Sequence, residues 1–240
     1  MTWAQGPLCG LDLETTDTDP AVARIVTASV VCVHPGREPV VASWLVAVDD
    51  PIPAESTLVH GVTTGHAREH GRPLADVARE VTGALVAMWG AGAPVVVHNA
   101  PYDLTVLGCE RRRLGLPPVP ITPETAPVVD PLVCDRAVDR YRRGSRKLAD
   151  TCGHYGVVLG AAHTADADAL AALRVAWKIA RRYPAQVADV ALPELHRRQQ
   201  TWHAQWAADF QDYLRTRAPR PDPAAVIDGS WPLREPEVPA

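Results

Sequence analysis

The sequence lacks long hydrophobic runs, and this absence limits where the protein can act. No apolar stretch approaches the roughly 20 residues that a membrane-spanning helix needs. The N-terminus also lacks the basic segment followed by an apolar segment that marks a signal peptide. We therefore expect a cytoplasmic protein that makes no contact with a membrane.

The chain also has few cysteines and no excess of positive charge. Its five cysteines are odd in number, widely spaced and without a C-x-x-C pair: Cys9, Cys32, Cys109, Cys134 and Cys152. This pattern argues against a disulfide framework or a zinc site and indicates a reducing compartment. The net charge is −4. Any contact with nucleic acid must therefore come from local basic patches.

The remaining composition is that of a globular protein, because 47% of the 240 residues are hydrophobic and the length suits one sizeable domain. β-Branched and apolar runs predict strands at 8–14, 24–33, 40–48, 94–98 and 127–130. Apolar residues spaced by three and four predict helices at 74–89, about 102–114, 132–141, 147–155 and 167–182. Strands that first form a meander and then alternate with helices indicate an α/β fold with a mixed sheet.

The C-terminal part of the chain has a different pattern. One long helix is predicted at 191–217, and the tail at 219–240 contains six prolines, which disfavour regular structure. We therefore predict a domain at 1–185 and a C-terminal extension at 186–240, made of this helix and the Pro-rich tail.

Asp12 and Glu14 lie two positions apart on the first predicted strand, so their side chains share one of its faces. No Lys or Arg stands between them, and like charges this close repel each other. A divalent cation would relieve that repulsion, and Mg²⁺ or Mn²⁺ prefers such oxygen ligands. The pair is a candidate metal site, although an Asp-x-Glu motif alone is common on protein surfaces.

Asp103, Asp168 and His163 lie at two further points where a ligand could bind. Asp103 follows the predicted strand at 94–98, and ligands in α/β sheets bind outside such strand ends. Asp168 lies in the first turn of a predicted helix, and His163 lies just before it. Structural roles are the alternative: Asp103 would cap its helix, Asp168 would interact with the helix dipole, and His163 would be solvated.

Three segments of the chain together resemble the signature motifs of the DEDDh exonucleases. That family includes the proofreading subunit of bacterial replicative polymerases, oligoribonuclease and ribonuclease T. The segments are Asp12-x-Glu14-Thr15-Thr16, His98-Asn99-Ala100-x-Tyr102-Asp103 and His163-x-Ala165-x-x-Asp168-Ala169. They occur in the family's order, and the resemblance covers about residues 7–182. The chain departs from the family at Asp17, where glycine is usual, and this adds a negative charge near the motifs.

The resemblance implies a ribonuclease-H-like fold, in which a mixed five-stranded sheet is flanked by helices. It also implies hydrolysis of nucleic acid from the 3′ end to nucleoside monophosphates. Asp12, Glu14, Asp103 and Asp168 would hold two Mg²⁺ or Mn²⁺ ions, and His163 would be the general base. Single-stranded ends are the expected substrate, since an acidic protein binds a long phosphate lattice only weakly. DNA is favoured as the nucleic acid, but the residues do not decide between DNA and RNA.

Less specific resemblances to the family predict further residues that contact the substrate. The residues expected to contact nucleic acid are Leu13, Thr15, His60, Asn99 and Tyr102. His60 belongs to the segment 58–63, which resembles the family's segment near the 3′-terminal nucleotide. The densest basic run, at 140–147, would contact phosphates unless it is a solvated loop.

The last predicted helix carries a stripe of mostly aromatic residues whose role the sequence leaves open. Its members are Leu195, Gln199, Trp202, Trp206, Phe210 and Tyr213. The stripe would pack on the exonuclease domain, or it would form an interface with a second copy of the chain or with another protein, such as a polymerase.

Two functions compete with a catalytic exonuclease. One is a non-catalytic module that keeps the fold to bind nucleic acid or a polymerase, but such a role would not need five chemical positions with unpaired charge. The other is an endonuclease of the broader ribonuclease-H-like class. The spacing between His163 and Asp168 favours the exonuclease branch.

Overall fold

A mixed sheet forms the centre of the computed structural model, which describes residues 2–160 and 164–235. Its five strands are β1 (Leu8–Thr15), β2 (Ile25–Val33), β3 (Val40–Leu45), β4 (Val95–Val96) and β5 (Val128–Val129), in the order β3-β2-β1-β4-β5. The first three strands form an antiparallel meander, and β4 and β5 continue the sheet parallel to β1. The prediction of an α/β fold with a mixed five-stranded sheet is confirmed.

Eight α-helices surround the sheet in the described part of the chain. They are α1 (Ala54–His60), α2 (Thr64–His70), α3 (Leu74–Gly90), α4 (Ala100–Arg113), α5 (Pro131–Val138), α6 (Leu148–Tyr155), α7 (Ala165–Arg182) and α8 (Leu192–Thr216). Within these residues, no helix combines the length and the apolar character that crossing a membrane requires.

The middle strand β1 buries both of its faces. Leu11 and Leu13 on one face belong to the core that also contains apolar residues of α3 and α4. Gly10 on the other face lies against α7, where a Cβ would stand 2.7 Å from the carbonyl oxygen of Ala169. Because Gly10 has no side chain, α7 can approach the strand closely, and its first turn comes to lie near the acidic residues of β1.

Several predicted boundaries were wrong. Helices α1 and α2 were not predicted, since they are short and expose most of their residues. Helix α5 ends at Val138 rather than at residue 141, because Asp139 leaves the helical conformation. Strand β4 spans two residues rather than the five predicted, since the chain turns into α4 at Asn99, which has a φ of 65°.

Helix α8 covers the outer edge of the sheet. The Nδ1 atom of His196 accepts a hydrogen bond from Val128 N at 3.1 Å. The Gln199 side chain donates to Val128 O at 3.0 Å and accepts from Asp130 N at 2.6 Å. These side chains satisfy backbone groups of β5 that a sixth strand would otherwise pair. The division of the chain at residue 185 stays a prediction.

The described part of the Pro-rich tail contains no helix or strand, but it packs on the domain. Trp231 is buried, and its Nε1 donates a hydrogen bond to Asp130 Oδ2 at 3.2 Å. Arg234 N donates to Thr105 Oγ1 at 2.8 Å. The tail therefore reaches the N-terminal half of α4 and the end of β5.

Candidate active site

Three carboxylates converge beside β1. Asp12, Glu14 and Asp168 each offer an oxygen, and these oxygens all lie within 4.8 Å of one another. The first two share a face of β1, and the third lies in the first turn of α7, whose N-cap residue is Thr164. The alternation of the strand and the close approach of α7 to Gly10 together produce the cluster.

The fourth predicted acidic residue, Asp103, lines the same cavity but has a different environment. It is buried in the first turn of α4, and its Oδ1 accepts a hydrogen bond from Leu13 N at 3.0 Å. The N-cap of α4 is Asn99. Asp103 therefore links α4 to β1 instead of capping its own helix.

The acidic residues retain protons more strongly than ordinary carboxyl groups do. Burial, followed by repulsion from the other three carboxylates, raises the pKa of Asp12 well above its usual value. Burial, followed by repulsion from Asp168, raises the pKa of Glu14 to about 7. Burial also raises the pKa of Asp103 to about 8, although the Leu13 N–H acts in the opposite direction. A divalent cation fits this donor set, because it would offset the repulsion that raises these pKa values.

The cavity over the cluster has a volume of about 530 Å³, and both acidic and basic residues line it. Besides the carboxylates, its basic and polar lining residues are His98, Arg136, Ser145, Arg146 and Lys147. Such an arrangement suits a substrate that carries a phosphate, since the cations can hold phosphate oxygens while the carboxylates bind metal.

Three of the residues expected to contact nucleic acid line this cavity: Leu13, Asn99 and Tyr102. Thr15 does not line it. Its hydroxyl is hydrogen-bonded to the Tyr102 hydroxyl, which also donates to the carbonyl oxygen of Asp17. Thr15 and Tyr102 therefore tie the loop after β1 to α4, and Tyr102 presents the rest of its ring to the cavity.

His60 lies in a neighbouring cavity that shares Glu14 with the acidic site. Its Nδ1 accepts a hydrogen bond from Val62 N at 3.1 Å, while its buried Nε2 has no hydrogen-bond partner among the described residues. Burial lowers the pKa of His60. The imidazole is therefore neutral near pH 7 and has one ring nitrogen available to a ligand.

The predicted general base, His163, lies outside the described residues. Thr164, directly after it, is the N-cap of α7.

The basic run at 140–147 is only in part available to bind a substrate. Arg142 and Arg146 both bind the fully buried Asp135, Arg142 at 2.9 Å. Arg146 and Lys147 also line the acidic cavity.

Sequence reasoning missed two residues that shape the site. Asp130 caps α5, and its carboxylate accepts hydrogen bonds from Asn99 N at 3.0 Å and Ala100 N at 2.9 Å. It therefore fixes the start of α4 as well. An aspartate between a β-branched run and Pro131 was an available signal for a cap. No sequence pattern distinguished Arg136, whose position on the cavity depends on tertiary packing.

The chain is similar in sequence to one protein family and in fold to several solved structures. The family model for exonucleases (RNase_T) matches residues 9–176. The chain matches no curated protein. Among solved structures, the fold is similar to that of exonuclease I, with 21% identity and a TM-score of 0.65. It is also similar to E. coli exonuclease I in complex with a dT13 oligonucleotide and to an ExoI/SSB-Ct complex, each with 18% identity and a TM-score of 0.63.

Each of these three matches covers 75% of this chain and 42% of the other. The chain therefore spans less than half the length of the solved chains it matches. At identities this low, the likeness shows a shared fold, and it agrees with the expected ribonuclease-H-like sheet flanked by helices.

Proposed function

The chain belongs to the exonuclease family, and from this membership we propose that it is a metal-dependent 3′–5′ exonuclease that shortens single-stranded DNA to nucleoside monophosphates. The observation that carries the proposal is the carboxylate cluster of Asp12, Glu14 and Asp168, whose oxygens lie within 4.8 Å of one another inside the matched region. The raised pKa values of Asp12 and Glu14 are expected of ligands that await a cation.

We assign Asp12, Glu14, Asp103 and Asp168 as the residues that hold two Mg²⁺ or Mn²⁺ ions. When bound, such ions lower the pKa of a water molecule and offset the charge that develops on the phosphate. Asp103 also keeps α4 in register with β1 through its hydrogen bond from Leu13 N. Its carboxylate is thereby held in one orientation toward the cavity.

His163 is assigned as the general base. It would take a proton from the water that attacks the terminal phosphate, since an imidazole with a pKa near 6.5 accepts a proton readily at neutral pH. The water oxygen bonds to phosphorus as the bond to the 3′ oxygen breaks. The products are a nucleoside 5′-monophosphate and a strand shorter by one nucleotide, whose 3′ oxygen takes up a proton. Arg146 and Lys147, which line the same cavity, would hold phosphate oxygens.

Single-stranded DNA is the substrate that the chain's charge and relatives support best. E. coli exonuclease I has been solved with dT13 and dA16 oligonucleotides. The present chain has a net charge of −4, so we expect a weak affinity for a long duplex. A few cationic side chains near the cavity must then bind the strand. A polymerase or a second copy of the chain stays a predicted partner.

The function is tested by digestion of matched DNA and RNA oligonucleotides with Mg²⁺, with Mn²⁺ and with EDTA. With a 5′ label, we expect a ladder that shortens one nucleotide at a time; with a 3′ label, mononucleotide should appear at once. Blunt duplex should be digested more slowly than single strands. Internal fragments in the first turnover would indicate an endonuclease, and binding without any hydrolysis would indicate a non-catalytic module.

A matched pair of variants tests whether activity depends on the acidic cluster or on any negative charge near a helix start. Asp168→Asn should abolish digestion, because it removes a metal ligand. Asp150→Asn is the control, since Asp150 also lies in the first turn of a helix, α6, but is exposed and lines neither the acidic cavity nor the cavity of His60. Equal activity of the two variants would contradict the assignment of Asp168.

A further inference from the structure

A second cavity of about 530 Å³ lies between α5 and α8. We call it the α8 groove. The residues that line it are Arg136, Ala137, Arg140, Trp202, Gln205, Trp206, Asp209, Phe210 and Tyr213. Four residues of the aromatic stripe on α8 line the groove (Trp202, Trp206, Phe210 and Tyr213), whereas Leu195 and Gln199 are buried against the sheet. The stripe therefore does not pack on the domain along its whole length.

The aromatic rings of the groove are arranged in parallel. The Trp206 and Phe210 ring centres are 5.4 Å apart with planes 15° from parallel. Those of Phe210 and Tyr213 are 6.3 Å apart with planes at 14°. Phe210 is 37% exposed and Tyr213 is 40% exposed. These rings stack on one another and Arg136 lies over Trp206, so the surface left for a nucleic-acid base is the exposed part of Phe210 and Tyr213.

Arg136 connects this groove to the acidic cavity, because its side chain lines both. Its guanidinium carbon lies 3.6 Å from the centre of the Trp206 ring. Within the described chain, no Asp or Glu oxygen lies within 4.0 Å of its guanidinium nitrogens. The guanidinium is thus oriented by an aromatic face and has no carboxylate partner there, so it can accept an anionic ligand at the junction of the two cavities.

We propose that the α8 groove binds the single strand on the 5′ side of the nucleotide that is being removed, with Arg136 on a phosphate and bases packed on the exposed surface of Phe210 and Tyr213. This inference rests on the proposed exonuclease function and names a further part of its substrate site.

Continuity with the acidic cavity favours nucleic acid over a protein partner. A strand whose 3′ end lies at the carboxylates must leave that cavity, and the groove adjoins the cavity at Arg136, which lines both. Arg140 at the rim is paired with Asp209 at 2.7 Å, so Arg136 supplies most of the groove's available positive charge. Most of the affinity for the strand then comes from contacts between bases and aromatic rings, which do not depend on the base sequence.

The test measures how affinity depends on strand length. Oligothymidylates of two and eight nucleotides with a 5′ fluorophore are titrated with the full chain in EDTA, so that no strand is cut, and anisotropy is recorded. The longer strand should bind more tightly. In the double variant Phe210→Ala, Tyr213→Ala, the ratio of the affinities for eight and for two nucleotides should fall by at least about fivefold. That is the lower end of what one base–aromatic stack contributes. Its affinity for two nucleotides should not change.

A strand with abasic upstream positions separates stacking from charge, since it keeps the phosphates and lacks the bases. The unmodified protein should prefer the normal eight-nucleotide strand, and the double variant should bind both strands alike. Arg136→Gln should weaken both strands and reduce the slope of log affinity against log salt by about 0.7, the amount expected for one phosphate contact on a single strand.

Trp177 provides a matched control for Trp206. It is also a half-buried tryptophan with a guanidinium over its ring, that of Arg181 at 4.7 Å, but it lines neither cavity. If Trp206→Ala weakens binding of the longer strand no more than Trp177→Ala does, Trp206 is structural and the proposal is wrong.

Two other outcomes would also overturn the proposal. In one, the double variant binds the longer strand as tightly as the unmodified protein does. In the other, it changes only the mass measured by light scattering, which would make the groove an interface between copies. Failure of the proposed function has a different signature: the unmodified protein would cut neither strand in Mn²⁺, while the dependence of binding on length would remain.

Discussion

Gly10 lies so close to Ala169 that the strand and the helix contact each other through backbone. A Cβ on Gly10 would stand 2.7 Å from the Ala169 carbonyl oxygen. Ala169 directly follows Asp168, which meets Asp12 and Glu14 in the acidic cluster. The distance between the ligands from β1 and the ligand from α7 therefore depends on a residue without a side chain.

Gly10→Ala should separate α7 from β1 and damage the acidic site from a distance. Because a backbone oxygen would be displaced, we expect a loss of about 1–3 kcal/mol in the free energy of unfolding. Calorimetry should also show weaker Mn²⁺ binding. Gly83→Ala is the control: it lies on α3 with open space around it and should stabilise by about 0.5–1 kcal/mol. Unchanged Mn²⁺ affinity in Gly10→Ala would contradict the predicted coupling.

The metal-free protein should become less stable as the pH rises from about 6.5 to about 8, above the range in which the pKa values of His98, His196 and His203, lowered by burial, act in the opposite direction. A carboxyl group whose pKa is raised by folding binds its proton more tightly in the folded protein than in the unfolded chain. Its stabilising proton is present at low pH and is lost as the pH passes the folded pKa, which is about 7 for Glu14 and about 8 for Asp103. Melting temperatures in EDTA at pH 6.5 and pH 8 test this expectation.

Asp12→Asn should raise the melting temperature of the metal-free protein at pH 8, because the amide removes a buried charge that repels its neighbours. The same substitution should remove the stabilisation that Mn²⁺ gives to the unmodified protein. A variant that melts lower than the unmodified protein in EDTA would show that the Asp12 carboxylate is structural rather than a strained metal ligand.

His163→Ala should separate proton transfer from metal binding. If His163 is the base, the variant should keep the two-ion site while turnover falls by roughly 10²–10⁴-fold, the contribution expected of a positioned general base. Asp12→Ala and Asp168→Ala should instead weaken Mn²⁺ binding itself. Calorimetric titration of the three variants distinguishes the roles. A loss of metal in His163→Ala as large as in Asp12→Ala would make His163 a ligand or a structural residue.

Asp130→Ala should destabilise the protein although it removes no metal ligand. The substitution leaves the N–H groups of Asn99, Ala100 and Leu132 without their acceptor. We expect a loss of about 2–4 kcal/mol, since each buried donor left unpaired costs about 1–3 kcal/mol and the burial of one carboxylate is relieved. Urea unfolding measures the effect. Asp139→Ala, at the other end of α5, should change stability by less than about 1 kcal/mol, because its pair with His154 at 4.0 Å is partly exposed.

Short-range geometry made part of the site predictable. Asp12 and Glu14 share a face of β1 because side chains on a strand alternate, and this depends on no other part of the chain. Asp103 could be placed at a strand-to-helix junction for a similar reason, since a buried apolar run and a proline in the first helical turn mark that junction locally. The same local patterns predicted the five strands and the mixed sheet.

Features that depend on tertiary packing could not be predicted from the sequence. Helices α1 and α2 carry too few buried residues to produce a periodic pattern. Arg136 lines two cavities only because α8 lies across the sheet edge at β5. The division of the aromatic stripe into a buried and an exposed half follows from the same packing, which the spacing along α8 does not reveal.

The sequence by itself determined which residues could bind metal, on which elements they lie and in which order they follow. The tertiary structure decided how closely they meet. Asp12 and Asp168 are 156 positions apart, and the 4.8 Å limit on their separation results from the fit of α7 against Gly10. Local periodicity encodes the direction of a side chain along its own strand or helix. The distance between two such elements depends instead on the side chains packed between them, and here on the absence of one.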